Sequence, residues 1–220
     1  MNADGTNPQA LKVLYEIEGE PELQAGFWPA WSPDGTKIAF THCLNCEVGG
    51  VNEEVLVYDF RTDEVTALTK NLRGDSAPAW SPDSTQIAFV SDRDFVRGEG
   101  DFFQELYIAA ADGENQQRLT FEETIANAPV WSPEGEQIAF TLFGKLHLFH
   151  LACGALTPIE VSIPDEFLFP SAWSPDGRKL LVFSNKSRDR HTLYMVDVGQ
   201  QQIERLLEDD EAFFTDWSRN

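Results

Sequence analysis

One phrase recurs along this chain and constrains its fold more than any other feature. It reads AWSPDGTKIAF at residues 30–40, AWSPDSTQIAF at 79–89, VWSPEGEQIAF at 130–140 and, one residue longer, AWSPDGRKLLVF at 172–183. A fifth copy begins at Asp216-Trp217-Ser218. Five of the six tryptophans (Trp31, Trp80, Trp131, Trp173 and Trp217) therefore hold one repeat position. The spacings between them, 49, 51, 42 and 44 residues, differ mainly in the stretch from the end of the phrase to Leu56, Leu106, Leu146 or Leu193. Taking that stretch out leaves 33 to 36 residues each time. A constant framework with one variable loop is the pattern expected where recognition is grafted onto a scaffold.

Each repeat holds four short strand candidates divided by turn chemistry. In the second they are residues 76–80, 85–90, 105–110 and 117–120. Ser81-Pro82-Asp83-Ser84 turns the chain after the first, because proline presets φ and aspartate bonds its own backbone. Asp112-Gly113 supplies the positive φ of a tight hairpin before the last. Helical periodicity is absent between the turns. Four antiparallel strands in each repeat of 40–50 residues predict an all-β fold, a β-propeller of four-stranded blades. The tryptophans are expected to open the innermost strands and pack between blades, where each indole N–H needs a partner.

Trp-Ser-Pro-Asp-Gly, then Ile-Ala-Phe, then Leu-Tyr and an Asp-Gly turn resembles the TolB-like propeller repeat. The repeat is also similar to those in propeller domains of dipeptidyl-peptidase-type and tricorn-type proteases. Ser84 and Glu134 depart from the motif, as do residues 152–154 and 198–199 where an Asp-Gly turn is expected. The resemblance implies a six-bladed parent ring and a periplasmic or extracellular setting.

The phase of the repeats divides the chain into a blade tail (1–24), whole blades at approximately 25–70, 71–121, 122–162 and 163–208, and the start of another (209–220). The chain is thus expected to supply four complete blades and two partial ones, about two-thirds of such a ring.

Charge excludes some partners. The 37 acidic against 16 basic side chains give a net charge of −21, which repels phosphate backbones and anionic membrane surfaces. Solubility explains such a surface, and so does attraction of basic partners or cations. No stretch approaches the roughly 18 apolar residues of a membrane helix. Nucleic acid and membrane insertion are not expected; another protein is.

Loops between the second and third strands of a blade share a face with the connections between blades. The two longest, 42–52 and 91–103, belong to neighbouring blades and should form one raised patch. Asp92, Arg93, Asp94, Phe95, Arg97, Phe102 and Phe103 combine charge with aromatic surface, the composition of interface hot spots. The alternative is that the phenylalanines fold back and the charges pair among themselves. His42, Cys43 and Cys46 form a Cys-x-x-Cys with an adjacent histidine, open to a disulfide, free thiols or a metal. Residues 185–191 read as a solvated loop. No nucleophile elbow, phosphate loop or His-Glu-x-x-His occurs. No catalytic residue and no cofactor is expected, with a cation in the central channel the one group left open.

Three functions follow as expectations. The first is a non-catalytic scaffold for protein–protein interaction, as the TolB-like resemblance implies. The second is a propeller domain that gates or docks substrate for a larger peptidase. The third is a propeller lyase with a channel metal.

Overall fold

In a computed structural model of the protein, the described residues are 27–43, 53–71, 73–96, 102–187 and 190–209, without the side chains of 185–187, 190, 191, 208 and 209. They form sixteen strands and no helix. The first blade comprises β1 (Phe27–Trp31), β2 (Lys37–Cys43), β3 (Glu53–Asp59) and β4 (Glu64–Ala67). The second comprises β5 (Asp75–Trp80), β6 (Gln86–Ser91), β7 (Glu105–Ala110) and β8 (Gln117–Arg118). The third comprises β9 (Ala126–Trp131), β10 (Gln137–Leu142), β11 (Lys145–His150) and β12 (Ala155–Pro158). The fourth comprises β13 (Phe167–Trp173), β14 (Lys179–Ser187), β15 (Arg190–Asp197) and β16 (Gln202–Asp209). Each is a four-stranded antiparallel meander in chain order.

The first strand of each blade packs across the preceding one: β5 on β1–β3, β9 on β5–β7 and β13 on β9–β11. This is propeller stacking, and it buries both faces of the middle strands. Leu106 and Ile108 face the third blade, whereas Tyr107 and Ala109 face the first. These strands therefore read as continuous apolar runs rather than as an alternation. The tail at 1–24, Trp217 and nearly all of 209–220 lie outside the described residues.

The recurring phrase has a local cause. Ser81 Oγ donates to Asp83 at 2.6 Å and accepts the Gln86 N–H at 2.9 Å, while Asp83 also accepts the Thr85 N–H at 3.0 Å. Ser32 with Asp34 and Ser174 with Asp176 repeat the arrangement. In the third blade Ser132 still accepts the Gln137 N–H, at 3.1 Å. These donors hold the Asp34, Asp83 and Asp176 carboxyls below the usual carboxylate range, the serine hydroxyl acting most strongly.

Two expectations are corrected. The tryptophans close the inner strands instead of opening them, so each ring sits beside the Ser-Pro-Asp turn. Where a loop is expected at 185–191, β14 runs on to Ser187 and β15 begins at Arg190, pairing Asn185 with His191 and Ser187 with Arg190; residues 188–189 lie outside the described residues.

Each indole that has a described blade before it donates across the interface. Trp80 Nε1 reaches the Ala30 carbonyl at 3.0 Å, Trp131 the Ala79 carbonyl at 3.0 Å, and Trp173 the Val130 carbonyl at 3.2 Å. In every case the acceptor immediately precedes the previous tryptophan. The indole position is thus a relay from blade to blade.

Candidate interaction face

The ends of second strands, the starts of third strands and the connections between blades lie on one face. Blades one and two build its floor in the same way. At the start of β3, buried Glu54 accepts the Thr69 hydroxyl and the Asn71 N–H at 2.8 Å; Thr69 in turn accepts the Val55 N–H at 3.0 Å. At the start of β7, buried Glu105 accepts the Thr120 hydroxyl and the Glu123 N–H at 2.7 Å, and Thr120 accepts the Leu106 N–H at 2.9 Å. The carboxylate thereby ties the third strand to the connection leaving the blade. Such backbone donors would otherwise be buried without partners.

The two floors differ in counter-charge. Arg118 Nη2 reaches Glu105 at 2.9 Å. The place of Arg118 in the register is taken in blade one by Ala67. Burial accordingly pushes the Glu54 carboxyl up to about 7, opposed by Thr69 and Asn71 and reinforced by Asp75. Burial also raises the Glu53 carboxyl, with the Asp92 charge adding to it.

Of the predicted patch at 91–103, Asp92, Arg93 and Asp94 are knitted into this floor. Arg93 donates to Asp75 at 2.8 Å, Gln116 at 2.6 Å and Ser91 at 2.8 Å, with its guanidinium 4.6 Å from the Tyr107 ring centre. Asp94 accepts the Tyr107 hydroxyl and Arg118 Nη1, the latter at 2.9 Å. Burial and the Asp94 bond raise the Tyr107 phenol. Asp92 accepts the Gly74 N–H at 2.7 Å. The charges expected to meet a partner are paired within the blade. Arg97 lies outside the described residues.

The aromatics behave differently. Phe95 packs edge-on against Phe102 (5.4 Å) and Phe103 (5.7 Å), while Phe102 and Val96 stay exposed. Arg118 bridges Phe103 to Phe121, 5.8 and 4.6 Å from the ring centres. Beyond it the backbone carries the line onward: Gln104 pairs with Ile125, and the Phe143 N–H donates to the Ile125 carbonyl at 3.0 Å. Phe143-Gly144 is the tight turn between β10 and β11, with φ of 47° and 76°. A Cβ on Gly144 would fall 1.8 Å from Phe167 Cδ1, so that ring lies directly on the turn. Phe121 is 68% exposed, Phe143 71% and Phe167 57%, and Ile125 is exposed beside them.

The result is an aromatic ridge running from the second blade to the fourth. Sequence reasoning found its beginning, Phe95, Phe102 and Phe103, and missed Phe121, Ile125, Phe143 and Phe167. The available signal was an apolar residue inside connections that turn chemistry marks as surface.

His42 and Cys43 are buried at the end of β2, and Cys43 is disulfide-bonded. Cys46 lies outside the described residues. Cys153, in the turn between β11 and β12 on the opposite face, is exposed and free. Among the described residues no group of three His, Cys, Asp or Glu side chains is placed to hold a metal ion. Nor is there among them a helix long and apolar enough to cross a membrane. Trp80, Trp131 and Trp173 are buried between blades; Trp31 is 60% exposed and stacks on Phe60 at 4.9 Å.

Residues 49–145 match the family model of the dipeptidyl peptidase IV N-terminal region. A relative described as the uncharacterized peptidase YuxL of Bacillus subtilis (strain 168) is 34% identical over 115 residues, 52% of this chain and 17% of that protein. The putative TolB from Agrobacterium tumefaciens superposes with a TM-score of 0.66 at 22% identity, over 87% of this chain and 71% of its own. TolB from Acinetobacter baumannii gives 0.64 at 20% identity, over 83% of this chain and 43% of its own. The chain thus spans about a sixth of its peptidase relative. The solved structures place its fold among the TolB-like β-propellers.

Proposed function

We propose that this chain is a non-catalytic β-propeller scaffold whose loop-rich face binds another protein. The observation that carries the reading is the ridge Phe102–Phe121–Phe143–Phe167. Monomeric proteins rarely leave several large apolar side chains exposed on one face unless they are used. Its supports are rigid, because Arg93 and Arg118 are already spent on buried carboxylates. A preorganised aromatic surface on a fixed floor loses little entropy on docking. The periplasmic or extracellular setting implied by the TolB-like repeat belongs to this reading.

A second reading has its own support in the family match over 49–145 and the peptidase relative. In it the same face gates or docks substrate for a peptidase domain of a longer chain. The two readings share the face and differ in what stands over it.

Affinity purification from a cell-envelope extract compares the wild-type chain with F121S/F143S and with a variant in which 91–103 is a short turn. Recovery of the same near-stoichiometric protein with wild type only is the expected result. Identical recoveries from all three, or turnover of peptides or polysaccharide by the chain itself, would overturn the scaffold reading.

A further inference from the structure

We propose that Glu54 and Asp75 form a proton-operated latch between the first and second blades, closed while Glu54 carries its proton and loosened once it is ionised. The proposal is independent of what the face binds. Its basis is a seam that brings two buried carboxyls together. Glu54, at the start of β3, is 2% exposed, and Asp75, the first residue of β5, is 0% exposed. Asn71, on the connection between the blades, holds both: its N–H donates to Glu54 at 2.8 Å and its side-chain amide donates to Asp75. Thr69 completes the cradle by donating its hydroxyl to Glu54. Arg93 is turned to Asp75 at 2.8 Å, and no basic side chain pairs with Glu54 among the described residues.

A neutral Glu54 carboxyl has a proton to give to Asp75 across the seam, whereas an ionised one meets that carboxylate as like charge in a buried site. Burial, with the Asp75 charge adding to it, accordingly holds Glu54 up at about 7. The other charged or titratable groups around it are few. His42 lies opposite Glu54 in the register of β2 and β3, and Glu53 precedes it. Lys70 and Arg73 stand on the connection and form no ion pair among the described residues. Asp92 and Arg93 come from the end of β6. The next seam lacks the device. Fully buried Ala126 stands there in the place of Asp75, each five residues before its inner-strand tryptophan. Glu105 has Arg118 at 2.9 Å, the arginine whose register position in blade one is Ala67. The second seam is therefore a control within the same molecule.

Amide hydrogen exchange on the whole chain, read residue by residue by NMR as protection factors at pH 5 and pH 8, tests the latch. The reporters are the N–H groups of Val55, Leu68 and Asn71, bonded to Thr69, Val55 and Glu54. Their counterparts in the second seam are those of Leu106, Leu119 and Glu123, bonded to Thr120, Leu106 and Glu105. In the wild type the first three should lose about tenfold or more of their protection between the two pH values, while the second three keep theirs. Glu54→Gln, whose amide donates to Asp75 at every pH, should abolish the loss. So should Ala67→Arg, which gives blade one the guanidinium that Arg118 supplies in blade two. The two variants reach that result by different chemistry, so if circular dichroism shows one to be unfolded the other decides.

Equal losses at the two seams would make the effect global and overturn the latch. A loss that persists in Glu54→Gln would assign it to a neighbour such as His42 or Glu53, and the proposal would fall. Protection at the first seam that does not change with pH in the wild type would overturn it as well.

Discussion

Glu54 and Glu105 occupy one structural position with one set of backbone and threonine partners, yet only Glu105 has a guanidinium beside it. The difference has a measurable sign. With its carboxyl raised from 4.5 to about 7, Glu54 holds its proton more tightly in the folded chain than in the unfolded one. Its stabilising contribution is complete below pH 4.5, where both states are protonated. It is lost as pH rises from 4.5 to about 7, because the unfolded chain ionises first. A shift of this size corresponds to roughly 3 kcal/mol. Glu54→Gln, permanently neutral, should therefore flatten the fall in Tm between those limits. Thermal melts of both proteins at pH 5 and pH 8 check this; parallel curves would show that Glu54 does not titrate there. The tryptophans were legible because a rare residue recurred in phase. The two glutamates were not, since an acid at a strand edge beside a long loop reads as solvated. The pattern that betrays them is a glutamate followed fifteen residues later by the threonine of Leu68-Thr69 and of Leu119-Thr120.

At the level of the element, the strands of the second blade are read from sequence to within one residue at most boundaries, because turn chemistry sets them. Sequence reasoning passed over the inner strands' irregularity. β1, β5 and β9 each carry a register shift, and Trp28, Ala77 and Ala128 stand there in the left-handed region at φ near 50°. Each is followed by a proline (Pro29, Pro78, Pro129), a residue that strands admit mainly at edges and bulges. Those prolines were the signal, and alternation-based reading does not register them. The Ser-Pro-Asp turn makes a sharper prediction. Asp83→Ala removes acceptors for Ser81, the Thr85 N–H and the Thr85 hydroxyl, and should cost about 1 kcal/mol. Glu134→Ala, at the same position in blade three, should cost less, because there Ser132 receives the Gln137 N–H without a hydrogen bond to the carboxylate two residues on. Urea midpoints for the two variants order the effects; equal losses would refute the role assigned to aspartate. Gly113 lies in the other turn, where φ is 86° and a Cβ would stand 2.7 Å from the Leu68 carbonyl oxygen of the preceding blade, so the Asp-Gly signal also encodes an inter-blade fit.

Across the whole molecule, stability is carried by nearest neighbours, as in any array whose units bury their faces only against the next. Three of the four apolar clusters among the described residues draw on two adjacent blades, and the fourth, Phe40 with Leu56 and Tyr58, belongs to the first blade, which has no described blade before it. The four whole blades and their order were legible because the repeat is long and nearly gapless. The ridge was only partly so, since it is assembled from connections of different blades that no single repeat displays. The same nearest-neighbour logic makes chemically identical substitutions unequal. Trp131→Phe keeps an aromatic ring in the interface but removes the indole N–H that the half-buried Ala79 carbonyl accepts, at a cost of about 1 kcal/mol. Trp31→Phe makes the same change at the same repeat position, where the ring is largely in solvent and its stacking on Phe60 survives the substitution. That variant should stay within about 0.5 kcal/mol of wild type. Urea unfolding followed by circular dichroism measures both. A loss at Trp31 as large as that at Trp131 would mean that the indole serves its own blade, and the relay between blades would have to be abandoned.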